Sequence, residues 1–567
     1  MARTVGLGIQ DFEDLITKDY FYVDKTAFIR EWWESGDAVT LITRPRRFGK
    51  TLNMNMLERF FSVEYAGRGE VFERLSIWED EEYRQLQGSW PVIALSFASV
   101  KETTFTEARK KICRIIERLY NKYDRLLGTD SLNENEKRQF KEVSAGMEDH
   151  TASDSLHILS DYLSRFYGKK VIILLDEYDT PMQEAYVHGY WEEMMAFTRS
   201  LFNATFKTDP YLGRALMTGI TRITRISRES MFSDLNNLNV VTTTSDMYAD
   251  SFGFTQREVC DALEEYGLSQ EQESVREWYD GFTFGEQKDI YNPWSIVNYL
   301  KTGRSGTYWA NTSSNSLAGK LIREGSRKVK ETMEDLLDGK VFHTKIDEQI
   351  VFSDLDQDEE AIWSLLLASG YLRVESVVQD EEWMEREYGL VLTNKEVRIM
   401  FMRMIRGWFA GRNAQVYNAF VEALLQDDLE GMNEYMNELA CEMFSTFDTG
   451  KKPSGRSEPE RFYHGFVLGL LVDLKGRYSV TSNRESGFGR YDVMLEPVDE
   501  KDAAVIIEFK VFRPAREKSL EDTVKAALRQ IEDKRYEAGL VTRGIPAERI
   551  RKYGFAFQGK TVLVRRG

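Results

Sequence analysis

The sequence predicts an α/β protein that is divided into several domains. Over the first 250 residues, short apolar runs alternate with amphipathic stretches, which is typical of parallel strands joined by crossover helices. The pattern then becomes mainly helical, and a segment rich in Gly, Pro, Ser and charge separates it from a last module of strands and helices. The length of 567 residues also exceeds what one hydrophobic core organises.

We expect three regions: residues 1–250, residues 251–445 and residues 455–567, with a linker at 446–460. Four apolar runs of the first region fit buried parallel strands, and three stretches carry apolar residues at helical spacing. The strands are predicted at 38–43, 92–97, 171–176 and 214–220, and the helices at 51–61, 107–123 and 191–206. The second region is predicted to be mainly helical, with aromatic-rich turns.

Composition excludes several classes of protein. The 42% hydrophobic and 13% aromatic content is that of a folded chain. No run approaches the roughly 18 apolar residues of a membrane helix, and the N-terminus lacks the apolar core of a signal peptide, so we expect a cytoplasmic protein with no membrane partner. The three cysteines and five histidines have neither disulfide nor metal-ligand spacing.

Charge is unevenly spread along the chain. The net charge is −18, yet the last 113 residues, Gly455 to Gly567, carry 22 Lys and Arg against 17 Asp and Glu, a net +5. An acidic body with a mildly basic final module agrees with a protein in which only that module meets a polyanion. A difference of this size is equally consistent with ordinary variation in composition.

The stretch RPRRFGKT, residues 44–51, has the spacing of a phosphate-binding loop between a strand and a helix. In such a loop, backbone N–H groups at a helix N-terminus bind phosphate. Gly49 allows close approach of the backbone, Lys50 reaches the outer phosphates, and the Thr51 hydroxyl holds Mg²⁺. These three residues match the usual pattern.

The arginines of this stretch are its unusual feature. Arg44 occupies the position of the first glycine, and it either replaces a turn residue or places a cation near the nucleotide. Arg46 and Arg47 add positive charge to the loop. A basic turn without a ligand is the alternative interpretation, so a second element is needed to decide.

The run VIILLDEYD supplies that second element. It places Asp176 at the end of an apolar strand, where the carboxylate meets the Mg²⁺ shell, and Glu177 next to it, where it can polarise an attacking water. Thr218 lies at the end of a later strand, where a polar group can sense the γ-phosphate. Together these motifs predict a site for ATP and Mg²⁺.

Arginines follow that strand at a spacing of three. Arg222, Arg225 and Arg228 could include an arginine finger that stabilises charge on the nucleotide. A salt-bridged helix face is the other interpretation, and it is the commoner one for any single arginine. We include Arg222 among the candidate nucleotide ligands.

A second set of polar residues lies in the last module. Glu508 and Lys510 flank Phe509 on an apolar strand, so their side chains share one face. Asp492 fits a preceding strand, Glu460 precedes the first helix of the module, and Gln530 lies on the following helix. Carboxylates that converge in this way bind Mg²⁺, and the lysine can orient an attacking water. A surface ion pair is the usual explanation of such a pattern, but the apolar run before Glu508 favours the site.

With both halves assembled, the chain resembles a bacterial family that joins an AAA-ATPase-like domain to a C-terminal PD-(D/E)xK nuclease-superfamily domain. The segments that carry the resemblance span nearly the whole chain: FYVDKT, RPRRFGKTL, LLDEYDTP, LMTGITRI, WYDGF, YNPWS, ERFYHGF, SNRESGFGRYDV and IIEFK. In that family, arginine in place of the first glycine is the normal form of the loop. The resemblance implies a P-loop NTPase core with a parallel sheet, helical elements after it with a winged helix left open, and a restriction-endonuclease-like α/β domain at the end.

The resemblance also implies functions. Lys50, Thr51, Asp176 and Glu177 would form the ATP site, and Glu460, Asp492, Glu508, Lys510 and Gln530 would form the nuclease site, with Mg²⁺ at Thr51, Asp176, Asp492 and Glu508. The expected partners are ATP and DNA, with RNA left open, and a homo-oligomer is left open beside a monomer. The rival hypothesis is a nucleotide-gated regulatory protein that binds nucleic acid or protein without cleavage.

Overall fold

The computed structural model describes the chain except residues 1, 208, 222–234, 311–315, 347–358, 380–385, 410–413, 445–473, 475–476, 483–484, 487–488, 500, 514–516 and 559–560. The chain forms two compact units, Met1–Met400 and Phe401–Gly567. The predicted boundaries near residues 250 and 445–455 stay predictions. Among the described residues, no helix combines the length and the apolar character needed to cross a membrane.

A parallel five-stranded sheet forms the centre of the first 250 residues. Its order is β2-β3-β4-β1-β5, and its strands are β1 Val39–Thr43, β2 Val92–Ser96, β3 Val171–Asp176, β4 Leu212–Gly219 and β5 Leu238–Val241. All residues of β1 and β3 are buried, because helices cover both faces of a parallel sheet. The four predicted strands are confirmed, and β5, which is short and contains Asn239, is an additional one.

Nine helices surround this sheet in the described part of residues 1–250. Within α5, Ile112, Ile116 and Leu119 lie three or four residues apart and are buried, as the sequence predicts. The helices are α1 Phe12–Thr17, α2 Ala27–Glu34, α3 Lys50–Phe61, α4 Glu81–Leu86, α5 Phe105–Lys122, α6 Glu134–Glu142, α7 Asp149–Tyr167, α8 Thr180–His188 and α9 Trp191–Phe202.

The rest of the first unit, residues 254–400, is helical but also contains two small antiparallel sheets, ordered β6-β8-β7 and β10-β11-β9. We call these residues the middle region. Its elements are β6 Phe254–Thr255, α10 Gln256–Glu265, α11 Gln272–Tyr279, β7 Phe282–Phe284, β8 Gln287–Tyr291, α12 Pro293–Thr302, α13 Ser316–Glu324, α14 Arg327–Leu337, β9 Phe342–Thr344, α15 Glu359–Ala368, β10 Leu372–Gln379, β11 Arg386–Leu392 and α16 Lys395–Phe409, which runs past Met400.

The second half of the middle region has the element order of a winged helix. Helix α14, strand β9, helix α15 and the hairpin β10–β11 follow one another, and β11 lies between the two other strands. Helix α15 is buried along Ala361–Leu367, so it does not present an exposed face to a nucleic acid groove. The order of elements and of strands agrees with the winged helix that the resemblance left open, and the winged helix stays a prediction.

The second unit is built on a mixed five-stranded sheet, ordered β12-β15-β16-β17-β18. Beside it, β13 and β14 form a short hairpin. The elements are α17 Ala414–Gln426, α18 Leu429–Phe444, β12 Tyr478–Ser482, β13 Glu485–Ser486, β14 Gly489–Arg490, β15 Val493–Pro497, β16 Ala504–Val511, α19 Leu520–Lys534, α20 Ala538–Thr542, β17 Ile550–Gln558 and β18 Thr561–Arg566.

Helices cover both faces of this sheet. Val505, Ile507 and Phe509 of β16 face a core that includes residues of α17 and α18, whereas Ala504 and Ile506 face α19. Because side chains alternate along a strand, Glu508 and Lys510 belong to the α19 face. This alternation places the two charged residues opposite the helix that carries Gln530.

Two asparagines of α18 close the edge of the sheet at β18. Asn433 donates to the Val564 carbonyl oxygen at 3.0 Å and accepts from the Val564 N–H at 2.8 Å. Asn437, one turn further, pairs in the same way with Val562 at 2.7 and 2.9 Å. The side-chain amides thus replace a neighbouring strand and leave fewer backbone groups at this edge for pairing with another chain.

Gly281, in the aromatic turn WYDGF, is required by both conformation and space. Its φ is +119°, and a Cβ at this position would lie 2.1 Å from the Thr393 carbonyl oxygen. We expect Gly281→Ala to destabilise the first unit by roughly 2 kcal/mol or more, because backbone must shift to relieve the clash. The measurement is the midpoint of urea-induced unfolding, followed by tryptophan fluorescence.

Gly303→Ala is the matched control. Gly303 also has a positive φ, +64°, but no atom lies within 4 Å of the added Cβ. Gly303→Ala should therefore lower the free energy of unfolding by only about 1 kcal/mol, which is the backbone strain of alanine at a positive φ. Equal shifts of the midpoint for the two variants would contradict the steric explanation.

Candidate functional sites

The phosphate-binding loop leads from β1 into α3 with an unusual backbone. Arg47 and Gly49 both have positive φ, +65° and +83°. Gly49 is the N-cap of α3, and no atom lies within 4 Å of the position of a Cβ there, so conformation rather than space favours glycine. The N-terminal N–H groups of α3 and the N-terminal end of its dipole therefore lie at the loop.

Lys50, the first residue of α3, is buried at the loop. Its Nζ donates to the carbonyl oxygens of Arg44 at 2.7 Å and Pro45 at 2.8 Å. Burial lowers the pKa of Lys50, while the negative charges of Glu177 and Asp176 act in the opposite direction. An ammonium group in such surroundings gains from an anionic partner, which a phosphate provides.

Asp176 joins three elements at the carboxyl edge of the sheet. Thr51 of α3 donates to Asp176 Oδ2 at 2.8 Å, and Thr218 of β4 donates to Oδ1 at 2.5 Å. Strand β4 lies between β1 and β3, so Thr218 is brought between the loop and the carboxylate. Burial raises the pKa of Asp176, and the two hydroxyl donors oppose this effect. The structure therefore brings Thr51, Asp176 and Thr218 together, as their predicted roles require.

Glu177 follows Asp176 with a positive φ of +50°, a rare conformation for a residue other than glycine. Its N–H points to Thr218 Oγ1 at 3.4 Å, and its carboxylate accepts from the Thr180 hydroxyl at 3.1 Å. The side chain thus has a fixed direction beside Asp176. Observed strain at this position agrees with the predicted role of a residue that orients water.

Asp179 belongs to the site although sequence reasoning did not select it. Its Oδ2 accepts from the backbone N–H groups of Ile220 at 2.9 Å and Thr221 at 3.1 Å, and from Gln183 Nε2 at 3.0 Å. Gln183 in turn accepts from Arg46 at 3.0 Å. This chain of hydrogen bonds connects the phosphate-binding loop to the end of β4, beside Thr218.

Arg44 is fully buried, and its contacts lie within the protein. Its guanidinium donates to the carbonyl oxygens of Thr43 at 3.0 Å, Thr242 at 2.5 Å and Met247 at 3.1 Å, and it lies 4.4 Å from the Phe284 ring. Burial lowers the pKa of Arg44 to about 9. These contacts favour the replacement of a turn glycine by a structural side chain, and a direct contact of Arg44 with the nucleotide stays a prediction.

The donor set at this edge suits a divalent cation. Carboxylate and hydroxyl oxygens, here those of Asp176 and Thr51, are ligands that Mg²⁺ takes together with phosphate oxygens. Asp176, Glu177 and Asp179 all contribute negative charge around Lys50. A triphosphate brought next to three carboxylates needs added positive charge, and a magnesium ion supplies it. Arg222, Arg225 and Arg228 lie outside the described residues.

The second site lies in the C-terminal unit, where β15 and β16 pair antiparallel. Val493 lies opposite Ile507, so Asp492, the residue just before β15, lies at the end of this ladder next to the Glu508–Phe509 segment. Asp492 Oδ2 accepts from the Phe509 N–H at 2.8 Å. Burial raises the pKa of Asp492 to about 6, against the opposing effects of that N–H and of the Lys510 charge.

Glu508 is buried and is held from the α19 side. Gln530 donates through Nε2 to Glu508 Oε1, and the same amide nitrogen lies 3.1 Å from the Tyr536 hydroxyl. The Lys510 Nζ lies 3.9 Å from Glu508 Oε1. Burial raises the pKa of Tyr536, and the charges of Glu508 and Asp492 act in the same direction.

Four of the five predicted residues of this site are therefore neighbours: Asp492, Glu508, Lys510 and Gln530. The buried Glu508 carboxylate, the half-buried Asp492 carboxylate and an amide oxygen are oxygen ligands of the kind that Mg²⁺ binds. Glu460 lies outside the described residues. Within the described ranges, no group of three His, Cys, Asp or Glu side chains is arranged to hold a metal ion, so a cation at Asp492 and Glu508 would need further ligands from substrate or water.

Comparisons with known families match both halves of the chain. Residues 6–229 match the model of a predicted AAA-ATPase, and residues 458–566 match the model of the PD-(D/E)XK nuclease superfamily. The chain joins an AAA-ATPase-like domain to a PD-(D/E)XK nuclease-superfamily domain. The predicted fold class and the resemblance are confirmed by these two matches.

Individual relatives add little detail. An uncharacterized protein in the vnfD 5′ region of Azotobacter chroococcum mcd 1 is 25% identical over 327 residues, which are 57% of this chain and 56% of the relative. The match thus spans little more than half the length of that protein. A crystal structure of a signal transduction ATPase with numerous domains and a tetratricopeptide repeat sensor, from Pyrococcus horikoshii, aligns with 80% of this chain and 62% of its own at 12% identity and a TM-score of 0.25.

Two site residues were missed because their local sequence suggests other roles. Asp179, in the AAA-ATPase-like domain, is followed by Thr-Pro at a helix start, the usual signal of a helix cap, but it makes no side-chain cap bond to α8. Tyr536, in the nuclease-superfamily domain, follows α19 and is buried. The sequence signal that could have indicated Tyr536 as a site residue is its position six residues after Gln530.

Asp179→Ala tests the connection between the two strand ends of the AAA-ATPase-like domain. The change leaves the N–H groups of Ile220 and Thr221 and the Gln183 amide without their acceptor. We expect a loss of about 3–5 kcal/mol in the free energy of unfolding, because buried donors lose a charged partner. Chemical denaturation measures it.

Asp154→Ala is the control, since Asp154 is exposed on α7. It should leave stability within about 0.5 kcal/mol of the parent. Asp179→Asn keeps an acceptor oxygen, so its free energy of unfolding should lie between those of Asp179→Ala and Asp154→Ala. An Asp179→Ala protein as stable as the Asp154→Ala protein would show that these hydrogen bonds do not hold the site.

Proposed function

We propose that this protein binds and hydrolyses ATP in the cytoplasm, and that its nucleotide state controls a Mg²⁺-dependent nuclease that cleaves phosphodiester bonds in DNA. One observation carries the proposal: each of the two units holds carboxylates on or next to a central strand, buried or half-buried, with fixed hydrogen-bond donors on them. Asp176 is held in the first unit, and Asp492 and Glu508 in the second. Carboxylates that are removed from water and held by specific donors collect at functional sites, which supports this proposal.

At the first site, the proposed role of the loop is to bind phosphates. Lys50 binds the outer phosphate oxygens, and the N–H groups at the start of α3 bind phosphate at the helix N-terminus. Mg²⁺ at Thr51 and Asp176 would neutralise charge on the phosphates. Glu177 accepts a hydrogen bond from the attacking water and orients it, while Thr218 holds Asp176 in place.

At the second site, the proposed reaction is hydrolysis of a phosphodiester. Mg²⁺ at Asp492 and Glu508 would supply Lewis acidity toward the phosphate. Lys510, on the same face of β16, orients the attacking water or stabilises negative charge that develops on the phosphate oxygens. Gln530 and Tyr536 keep the Glu508 carboxylate in one direction. The basic balance of the last module supports a polyanionic substrate.

Variants of the first site separate binding from turnover. Lys50→Ala should abolish ATP binding, because it removes the cation that is proposed to bind the outer phosphate oxygens. Glu177→Gln should keep the ATP affinity and lower kcat by about 10²–10⁴-fold, because the amide cannot polarise water. Calorimetric titration with ATP and a phosphate-release assay measure the two effects. Lys18→Ala and Glu134→Gln change exposed residues and are the matched controls, with the parental ATP affinity and kcat expected. A Glu177→Gln enzyme with the parental kcat would exclude Glu177 from the hydrolysis step.

Variants of the second site test cleavage. Glu508→Gln and Lys510→Met should each abolish Mg²⁺-dependent cleavage of plasmid DNA while leaving ATP turnover at the parental level. Glu496→Gln, on β15 and bound to Arg543, is the control and should cleave normally. The assay uses double-stranded DNA, single-stranded DNA and RNA, each with and without ATP, and reads nicking on gels. Lys50→Ala should remove the ATP dependence of cleavage.

The same assay decides the rival hypothesis. A protein that retains nucleic acid without nicking it under every metal and nucleotide condition would be a nucleotide-gated binding protein. Cleavage that survives Glu508→Gln in contaminant-free protein would contradict the site assignment. RNA cut in preference to DNA would change the substrate but leave the chemistry as proposed.

A further inference from the structure

Five successive residues of the phosphate-binding loop, 44–48, contact the middle region in the same compact unit. The first of them, Arg44, replaces the usual glycine. The Arg44 guanidinium lies over Phe284, Pro45 packs against Gly370, the Arg46 carbonyl oxygen accepts from Asn292 and Trp309, the Arg47 guanidinium lies over Trp294, and Phe48 packs against Phe282 and Phe284.

The two hydrogen bonds to Arg46 define the direction of one peptide group. Trp309 Nε1 donates to the Arg46 carbonyl oxygen at 3.0 Å, and Asn292 Nδ2 donates to it at 3.3 Å. A trans peptide is planar, so its N–H points opposite to its C=O. With the Arg46 carbonyl directed at the middle region, the Arg47 N–H is turned away from that region. A positive φ at Arg47 follows directly after this peptide.

Both donors are themselves held in place. Asn292 is buried, and its Oδ1 accepts from the N–H groups of Trp294 at 2.9 Å and Ser295 at 3.3 Å, which fixes the amide at the start of α12. Trp309 is 2% exposed. The buried Glu396 carboxylate accepts from the adjacent Ala310 N–H at 3.2 Å and from the Ser295 hydroxyl at 2.7 Å. One buried anion therefore connects the Trp309 segment to α12.

We propose that the middle region completes the nucleotide site, with Asn292 and Trp309 as positioning residues that aim the Arg47 N–H at the bound phosphate. Both residues lie outside the part of the chain that matches the AAA-ATPase model, residues 6–229. ATP binding and the packing of the middle region on the loop are then coupled, and each stabilises the other. This inference rests on the proposed ATP binding and adds the segment that controls it.

The test is ATP affinity and turnover of full-length variants that remove only the donors. Asn292→Asp keeps the oxygen that caps α12 but replaces the amide donor by a carboxylate next to the Arg46 carbonyl. Trp309→Phe keeps an aromatic ring and removes the N–H. We expect Kd and KM for ATP to rise about tenfold or more for the first variant and about fivefold for the second, with kcat at saturating ATP little changed.

Matched controls exist in the same unit. Asn298→Asp changes an asparagine on α12 whose amide donates to the Trp294 carbonyl oxygen at 2.8 Å. Trp32→Phe changes a buried tryptophan whose indole nitrogen has no hydrogen-bond partner among the described residues. Both controls should bind ATP with the parental Kd. Asn292→Asp should unfold at a lower temperature than Asn298→Asp, because it places a buried carboxylate next to a carbonyl oxygen. The deciding readout is therefore the split between KM and kcat: a purely structural role of Asn292 would lower kcat at saturating ATP, whereas a positioning role raises KM alone.

The outcomes separate this inference from the proposed function. A parent protein that does not bind ATP overturns both. If the parent binds ATP and both Asn292→Asp and Trp309→Phe keep the parental Kd and KM, only the role of the middle region is overturned. Should a variant fail to fold, hydrogen exchange of the parent gives a second measurement: ATP should slow exchange over residues 278–310, and unchanged exchange at saturating ATP would contradict the coupling.

Discussion

The nucleotide site depends on the way in which one buried carboxylate, Asp176, is satisfied. A carboxylate at the end of an apolar strand is costly unless its oxygens are hydrogen-bonded. Here one oxygen accepts from Thr51 at the start of α3 and the other from Thr218 on β4. Three elements are thereby held at one point of the sheet edge. Asp179 adds a second connection, because it holds the backbone just after β4.

In the C-terminal unit, different hydrogen-bond donors offset the cost of removing carboxylates from water. Asp492 accepts from a backbone N–H of the neighbouring strand, and Glu508 accepts from the Gln530 amide of the helix that covers that face. Antiparallel pairing of β15 and β16 brings Asp492, just before β15, next to the Glu508–Phe509 segment, whereas the first site uses the common carboxyl edge of parallel strands. In both units, therefore, the sheet topology decides where negative charge collects.

The unusual residues of the phosphate-binding loop are explained by the middle region rather than by the nucleotide alone. Glycines in such a loop allow the backbone to turn freely, whereas Arg44, Pro45 and Phe48 are bulky and need a surface to pack against. The aromatic turns of residues 278–309 provide that surface for Arg44 and Phe48, and Gly370 provides it for Pro45. Arg44, which stands in place of the first glycine, thus packs together with aromatic motifs that lie far along the chain.

The sequence by itself determined the features that depend on local pattern. Apolar runs that end in a polar residue predicted β1 to β4 and placed Asp176 and Thr218 at strand ends, and the period of two predicted that Glu508 and Lys510 share a face. Lys50 and Thr51 followed from their spacing after Gly49. Strand β5 was missed because it is short and begins with polar neighbours, so its apolar pattern is weak.

Only the tertiary structure decided which partners these residues have. Asp179 lies 41 residues from Ile220, and Trp309 lies 263 residues from the carbonyl that it binds. The physical reason is that a buried donor takes whatever acceptor the fold brings next to it, and local periodicity contains no information on that choice. For the same reason, the position of Arg44 among backbone carbonyls, of Tyr536 beside Gln530, and of Asn292 at the phosphate-binding loop was decided by the assembled unit.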